Sequence, residues 1–182
     1  MSTQIDLDPV GRITAAAVGE PGQRVFYLQA RKEDVVVSLV LEKQQVALLT
    51  VHIDGLLERV GGPDEDSAPV VEALDLEEPI VPEFRVGKIG LGYDDERELV
   101  ILQCEEFVPE SESDEEVIIE PTEDPGRVRL WATREQMYAV ARRGEREVAA
   151  GRPLCPMCGE SMDPEGHFCP RSNGHREVTQ LT

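Results

Sequence analysis

The chain has 182 residues, of which 40% are hydrophobic and 4% aromatic, and its formal net charge is −19 at pH 7. This length allows one moderate domain and a small appendage, and the hydrophobic fraction suffices for a core built mainly of aliphatic side chains. A surface this negative repels phosphate groups, so the composition argues against nucleic-acid binding by the whole protein and against attachment to anionic membranes.

The sequence predicts a cytoplasmic protein. Its N-terminal residues contain no basic region followed by an apolar run, which a signal peptide requires. It has no stretch of about 18 uninterrupted apolar residues that would span a membrane. Cysteines with metal-ligand spacing in such a chain favour a reducing compartment, and metal binding over disulfide bonds.

The first part of the chain predicts three strands followed by a helix. Apolar and β-branched residues predict strands over residues 10–18, 24–30 and 35–41, with a turn between the first two. A helix is expected from Lys43 to the Gly-Gly-Pro sequence at 61–63, because apolar residues recur there at spacings of three and four. Those residues are Val46, Leu49, Ile53, Leu56 and Leu57.

Two acidic stretches interrupt the predicted elements. Residues 61–83 are rich in Pro, Asp and Glu and predict a linker or a long excursion, in which residues 68–76 form either a short helix or an extended arm. Residues 105–124 contain ten carboxylates and no Lys or Arg, so charge repulsion predicts a solvated loop. That loop is either a solubilising excursion or a docking surface for a basic partner.

The second part of the chain resembles the first. The sequence VGKI at 86–89 resembles VGRI at 10–13, and ELVILQC at 98–104 resembles RVFYLQA at 24–30. In this alignment a cysteine of the second part takes the place of an alanine of the first. We therefore expect Cys104 to be a small buried residue and not a metal ligand.

A third strand and a second helix complete the resemblance. The strand is predicted over residues 128–132 and the helix from Arg134, so that Gln136 matches Gln45 of the first helix. Thr133 is the predicted N-cap of the second helix, and Gln136 three positions later completes the pattern of a capping box.

These patterns predict an α+β fold built from two duplicated β-β-β-α units. The units occupy residues 8–62 and 84–150 of a domain that spans residues 1–150. Pairing about a pseudo-two-fold axis would give a mainly antiparallel sheet of about six strands packed by two helices. Chance similarity between two amphipathic units is the alternative.

Residues 151–182 carry the one motif that commits the chain to a chemistry, and they predict a zinc ribbon. The spacing is C-x2-C-x10-C-x5-H, and three thiolates with one imidazole complete a tetrahedral Zn²⁺ shell. The predicted ligands are Cys155, Cys158, Cys169 and His175. His167 is the alternative histidine, but the Asn-Gly turn just before His175 favours the latter. A redox C-x-x-C pair is the weaker interpretation, because a third cysteine and a histidine follow.

A zinc ion held by four protein ligands stabilises a fold and does not catalyse a reaction. A segment of about 25 residues buries too little to fold alone, so the metal would supply most of its folding free energy. Elsewhere the sequence has no nucleophile elbow, no Gly-rich phosphate loop and no HExxH motif. His52, inside the first predicted helix, is expected to be a surface or packing residue.

Nearly the whole chain resembles an actinobacterial family of proteins of unknown function with a C-terminal zinc ribbon. The resemblance is carried by DPVGRIT at 8–14, FYLQA at 26–30, RLWATREQM at 129–137 and the CPMCG and CPRSNGH segments of the ribbon. It implies a genomic neighbourhood with a histidine-phosphatase-superfamily protein and a protein similar to phosphatidylinositol kinases. It implies no activity.

The leading hypothesis is therefore a cytoplasmic zinc-binding protein that acts without catalysis, as a scaffold or interaction protein with a protein partner. The alternative is an enzyme or enzyme subunit of phosphate-related metabolism, with a site between the two halves. Nucleic-acid binding through the ribbon is a third possibility, which the net charge disfavours.

Overall fold

The computed structural model describes residues 3–109, 124–162 and 166–171, together with the backbone of residues 177–178. The body contains one sheet of seven strands and two α-helices. The strands are β1 (Gln4–Leu7), β2 (Arg12–Val18), β3 (Val25–Lys32), β4 (Val35–Leu41), β5 (Pro82–Asp94), β6 (Leu99–Glu106) and β7 (Arg127–Ala132). The helices are α1 (Lys43–Arg59) and α2 (Arg134–Ala149), and the two-residue strands β8 (His167–Phe168) and β9 (Glu177–Val178) pair beyond them. Neither helix has the length and hydropathy needed to cross a membrane.

The large sheet is strongly curled, so that its two edge strands come near each other at one end. Its strand order is β1-β7-β6-β5-β4-β3-β2. The first two strands of the chain, β1 and β2, therefore lie at opposite edges of the sheet. Only residues 8–11 connect β1 to β2. This connection reaches at most about 19 Å, whereas a flat sheet of this width would separate its edges by about 29 Å. The Val10 N–H donates to the Trp131 carbonyl at 2.8 Å and the Gly11 N–H to the Arg31 carbonyl at 2.8 Å, so neighbouring residues touch β7 and β3.

Strand pairing is antiparallel except at two places. β4 runs parallel to β5, and β1 runs parallel to β7. Parallel neighbours need a crossover connection. Helix α1 lies in the connection between β4 and β5, and most of the body separates β1 from β7 along the chain. The sheet faces and the helices share one aliphatic core, in which Leu28, Leu102 and Ile53 are at most 1% exposed.

The two β-β-β-α stretches use matching registers. Ile13 on β2 lies opposite Ala30 on β3, and Ile89 on β5 lies opposite Cys104 on β6. Cys104 is fully buried, and burial raises the pKa of its thiol to about 12. The prediction of a small buried residue at this position is confirmed.

Each helix begins with a capping box that also ties it to a neighbouring strand. At α1, Glu42 is the N-cap, and the side chain of Gln45 accepts from its N–H at 2.8 Å and donates to the Val86 carbonyl at 3.0 Å. At α2, Thr133 is the N-cap as predicted, and Gln136 donates to the Val10 carbonyl at 3.2 Å. The two glutamines thus bond a helix end and a backbone carbonyl in or just before a strand in the same way.

The excursion after α1 lies across β2, β3 and α2. Two short 3₁₀ turns (Glu65–Ser67 and Val71–Ala73) occur in it, and the second is the helical part of residues 68–76, where the sequence allows a short helix or an extended arm. Leu74 is 5% exposed, and its carbonyl accepts a 2.7 Å bond from the buried Thr14 hydroxyl. We call residues 71–77 the strap.

The predicted strands and helices are confirmed with boundaries shifted by a few residues, but two expectations need correction. The sheet has seven strands and not about six, because the short β1 is missing from the prediction. The sheet is mainly antiparallel as predicted, with two parallel strand pairs. Glu105 and Glu106 belong to β6 and not to a loop, and residues 110–123 of that acidic segment lie outside the described residues.

Candidate metal centre

A tight knuckle holds the first two cysteines. The Cys155 N–H donates to the Glu160 carbonyl at 2.7 Å, and the Gly159 N–H donates back to the Cys155 carbonyl at 2.8 Å. Gly159 has φ +77°, a conformation that residues with a Cβ seldom adopt, so a glycine directly after the second cysteine lets the chain turn back. An isolated bridge between Leu154 and Ser161 closes the base of the knuckle.

His167 lies on β8 and Cys169 directly after it, so the second pair of donors faces the knuckle from a short strand. One ligand atom from each of four residues lies within 4.8 Å of all the others. The four residues are Cys155, Cys158, His167 and Cys169. The Cys155 and Cys169 sulfurs are 3.8 Å apart, and the Cys158 sulfur is 3.7 Å from the His167 Nε2. This cluster could hold a metal ion.

The cysteines of this cluster are free thiols. A disulfide needs its sulfurs about 2.05 Å apart, and no such bond joins the 3.8 Å pair. Cys155 and Cys169 are buried and share a small core with Met162. Burial raises the pKa of Cys155, but hydrogen bonds from the Cys158 backbone and the His167 side chain outweigh it and hold the pKa at about 6. A lowered pKa favours the thiolate, the form that binds metals.

The structure brings together the three predicted cysteines, while the predicted histidine, His175, lies outside the described residues. The histidine that completes the cluster is His167, which the sequence offered as the alternative. Its position on a strand that ends just before Cys169 is the feature that sequence spacing alone did not convey. Cys104 is in the core of the body, away from the cluster, and His52 lies exposed on α1.

Three large apolar side chains around the cluster face solvent. Leu154 is 65% exposed, Met157 is 47% exposed and Phe168 is 72% exposed. Each is next to, or one residue from, a cysteine or histidine of the cluster. No pattern in the sequence predicts that all three lie on the surface.

The sequence matches the model of a family described as "Protein of unknown function (DUF3090)" over residues 5–169. No curated protein and no solved structure matches the chain. The family match begins in β1 and ends on Cys169, so it includes the whole described body and all four residues of the metal cluster. On that match, which covers most of its length, the chain belongs to the DUF3090 family.

Proposed function

We propose that this is a cytoplasmic zinc-binding protein in which the metal builds a non-catalytic surface for a protein partner. The observation that carries the proposal is the approach of three sulfurs and one imidazole nitrogen to within 4.8 Å of one another. In a tetrahedral zinc site, bonds of about 2.3 Å to sulfur and 2.0–2.1 Å to nitrogen put two sulfurs about 3.8 Å apart and a sulfur about 3.6 Å from a nitrogen. The two distances given above fit this geometry.

The donor set favours zinc over other ions. Thiolates with one imidazole in a tetrahedral arrangement suit Zn²⁺, whereas Mg²⁺ and Ca²⁺ require oxygen ligands. Four protein donors leave no position for water or substrate, which is the property of a structural site. In this proposal His167 is the fourth ligand, in place of His175.

Ligand choice is tested by zinc stoichiometry of purified full-length variants. We expect about one zinc per chain in the wild type and in His175→Ala, and loss of zinc in His167→Ala, since three remaining donors bind much more weakly. Zinc lost in His175→Ala and kept in His167→Ala would restore the histidine that the sequence favoured. Zinc absent from the wild type would remove the proposal altogether.

A role in protein interaction is supported by the exposed apolar residues of the ribbon. Exposed Leu154, Met157 and Phe168 resemble the apolar centre of an interface more than a solvated surface of an acidic protein. Aromatic and methionine side chains are enriched at such centres. The metal would hold these residues in place without taking part in chemistry.

The partner is tested by affinity purification from the cells that make the protein, read by mass spectrometry. We expect one or more proteins to be retained by the wild type and lost with both Cys155→Ser and Phe168→Ser. Val51→Ser, which removes an equally exposed apolar residue from α1, is the matched control and should retain them. No partner with the wild type, or the same partners with Phe168→Ser, would contradict an interface on the ribbon.

We further infer that the body arose by internal duplication. The matching registers of β2 with β3 and of β5 with β6 support this inference, as do the glutamine contacts of Gln45 and Gln136. Two unrelated β-β-β-α units would have no reason to share a glutamine that bonds the first carbonyl of a VG[R/K]I sequence.

A further inference from the structure

An apolar groove lies between α1 and β5. Its volume is about 420 Å³, a size typical of small-molecule sites. Five aliphatic side chains form most of its lining: Leu48, Leu49, Leu56, Ile89 and Leu91. Gln45, His52, Arg59 and Gly87 complete it. The groove is separate from the metal cluster and shares no residue with it.

The groove exists because α1 stands away from β5, while α2 packs closely against β2. Where α2 meets β2 the residues are small, and a Cβ built on Gly144 would lie 4.0 Å from the Cβ of Ala15. On the other side, the position of β5 that corresponds to Ala15 carries Leu91, and Leu48 of α1 also lines the groove. Small residues let backbones approach, whereas leucines hold these two elements apart and leave space between them.

The groove has one cationic end. Its helical wall runs from Gln45 to Arg59, a length of about 21 Å at 1.5 Å per residue. Both polar atoms of the Gln45 side chain are already bonded, to the Glu42 N–H and the Val86 carbonyl. Arg59 has no carboxylate within ion-pair distance among the described residues, although most arginines of the described chain have one.

We propose that this groove binds an unbranched amphipathic acid, with its apolar chain along the leucines and its anionic group at Arg59. A chain-like ligand fits because the lining is elongated and aliphatic. The Gln45 side chain, whose polar atoms are already bonded, lies at the end of the groove away from Arg59. An anionic group fits because Arg59 offers planar, paired donors in a protein whose carboxylates otherwise repel anions. Leu48 is 59% exposed without a ligand and would be covered by one.

Calorimetric titration of the full-length, metal-loaded protein with decanoate tests the proposal. We expect saturable binding of one decanoate per chain, with decanol bound at least about tenfold more weakly because it cannot form charge-assisted hydrogen bonds with Arg59. Decyl phosphate in a parallel titration distinguishes a phosphate group from a carboxylate. Either acid bound in preference to the alcohol supports the proposal.

Two matched pairs of variants locate the site. Arg59→Gln should weaken decanoate binding about tenfold, whereas Lys88→Gln, the same charge change on the exposed side of β5, should leave it unchanged. Leu48→Glu should abolish binding, whereas Val51→Glu, on an exposed position of α1 outside the groove, should not. Circular dichroism checks that each variant is folded. The proposal would be overturned if the wild type showed no saturable binding. It would also be overturned if Arg59→Gln and Leu48→Glu both bound decanoate with the affinity of the wild type.

Discussion

At the scale of single residues, the contact between the two helices depends on a glycine. A Cβ at position 144 would lie 2.8 Å from the Cγ2 of Thr50 and 3.2 Å from a methyl group of Val46. Thr50 cannot turn away easily, because it is buried and its hydroxyl bonds the Ala47 carbonyl at 2.8 Å. We expect Gly144→Ala to lower the free energy of unfolding by about 1–2 kcal/mol, overpacking exceeding the gain in helix propensity. Urea denaturation measures the change.

Gly55 provides the control for that prediction, since it is a second helical glycine without the close contact. A Cβ there would meet nothing within 4 Å, so Gly55→Ala should raise the free energy of unfolding by about 0.5–1 kcal/mol. If Gly144→Ala were as stable as Gly55→Ala, the two helices would not be in the close contact described.

At the scale of elements, the strap depends on Gln29. This side chain is 1% exposed, donates to the Ser38 hydroxyl and the Glu77 carbonyl at 3.0 Å each, and accepts from the Glu77 N–H at 2.7 Å. Gln29→Leu leaves these polar groups without a partner, so we expect a loss of about 1–3 kcal/mol in the free energy of unfolding. Faster amide hydrogen exchange over residues 71–77 should accompany the loss.

Gln103 is the matched control for Gln29, because it lies at the corresponding position of β6. It is half-buried, and its side chain donates one bond, to Glu105 at 3.0 Å. Gln103→Leu should therefore change stability by less than about 1 kcal/mol and leave exchange of the strap unaltered. Equal effects of the two substitutions would show that the strap is held by its other contacts alone.

The elements themselves were largely predictable from local patterns, and the misses have physical causes. The run of residues 35–41 and the cap at Thr133 carry their structure in a few neighbouring residues, so sequence sufficed. The strand β1 was not predictable from neighbouring residues, because its four residues form a strand only by pairing with β7, more than 120 positions away. The choice between His167 and His175 stays open in the sequence for a related reason, since the spacing of ligands says which residues can reach a metal but not which strand carries them.

At the scale of the molecule, two ion pairs lie at or beside the connection between the edge strands β1 and β2. Arg129 on β7 bonds Asp6 on β1 at 2.6 and 2.8 Å, and Arg97 bonds Asp8 at 2.6 and 2.9 Å. These hydrogen bonds to arginine hold the pKa of both carboxyls below 3.8, their ordinary value. Solvent screens these exposed pairs, so each contributes little to stability.

Acid should remove this contribution. Because the folded-state pKa values are depressed, the stabilisation is fully present above the ordinary pKa and is lost as pH falls through the lower folded-state values. We expect the stability difference between wild type and Arg97→Gln/Arg129→Gln to be present at pH 6 and to shrink below pH 3.8. Urea denaturation at several pH values measures it, with Lys88→Gln as the charge control. A difference independent of pH would assign the effect to packing.

Removal of the metal should separate the ribbon from the body, because their cores are distinct. The residues buried around the cluster are Cys155, Met162 and Cys169, too few to stay ordered without a metal, whereas the body has its own aliphatic core. We expect Cys155→Ser or a chelator to abolish amide exchange protection over residues 151–171. Thermal unfolding of the body should stay unchanged when it is followed by the fluorescence of the single tryptophan, Trp131 on β7.

Cys104→Ser should do the opposite. Zinc is retained, but a buried hydroxyl without a partner costs about 1–3 kcal/mol and lowers the melting temperature of the body. A melting temperature that fell with metal removal would mean that the ribbon stabilises the body. The contact between the two, where Arg152 approaches Gly22, would then be an integral part of the fold.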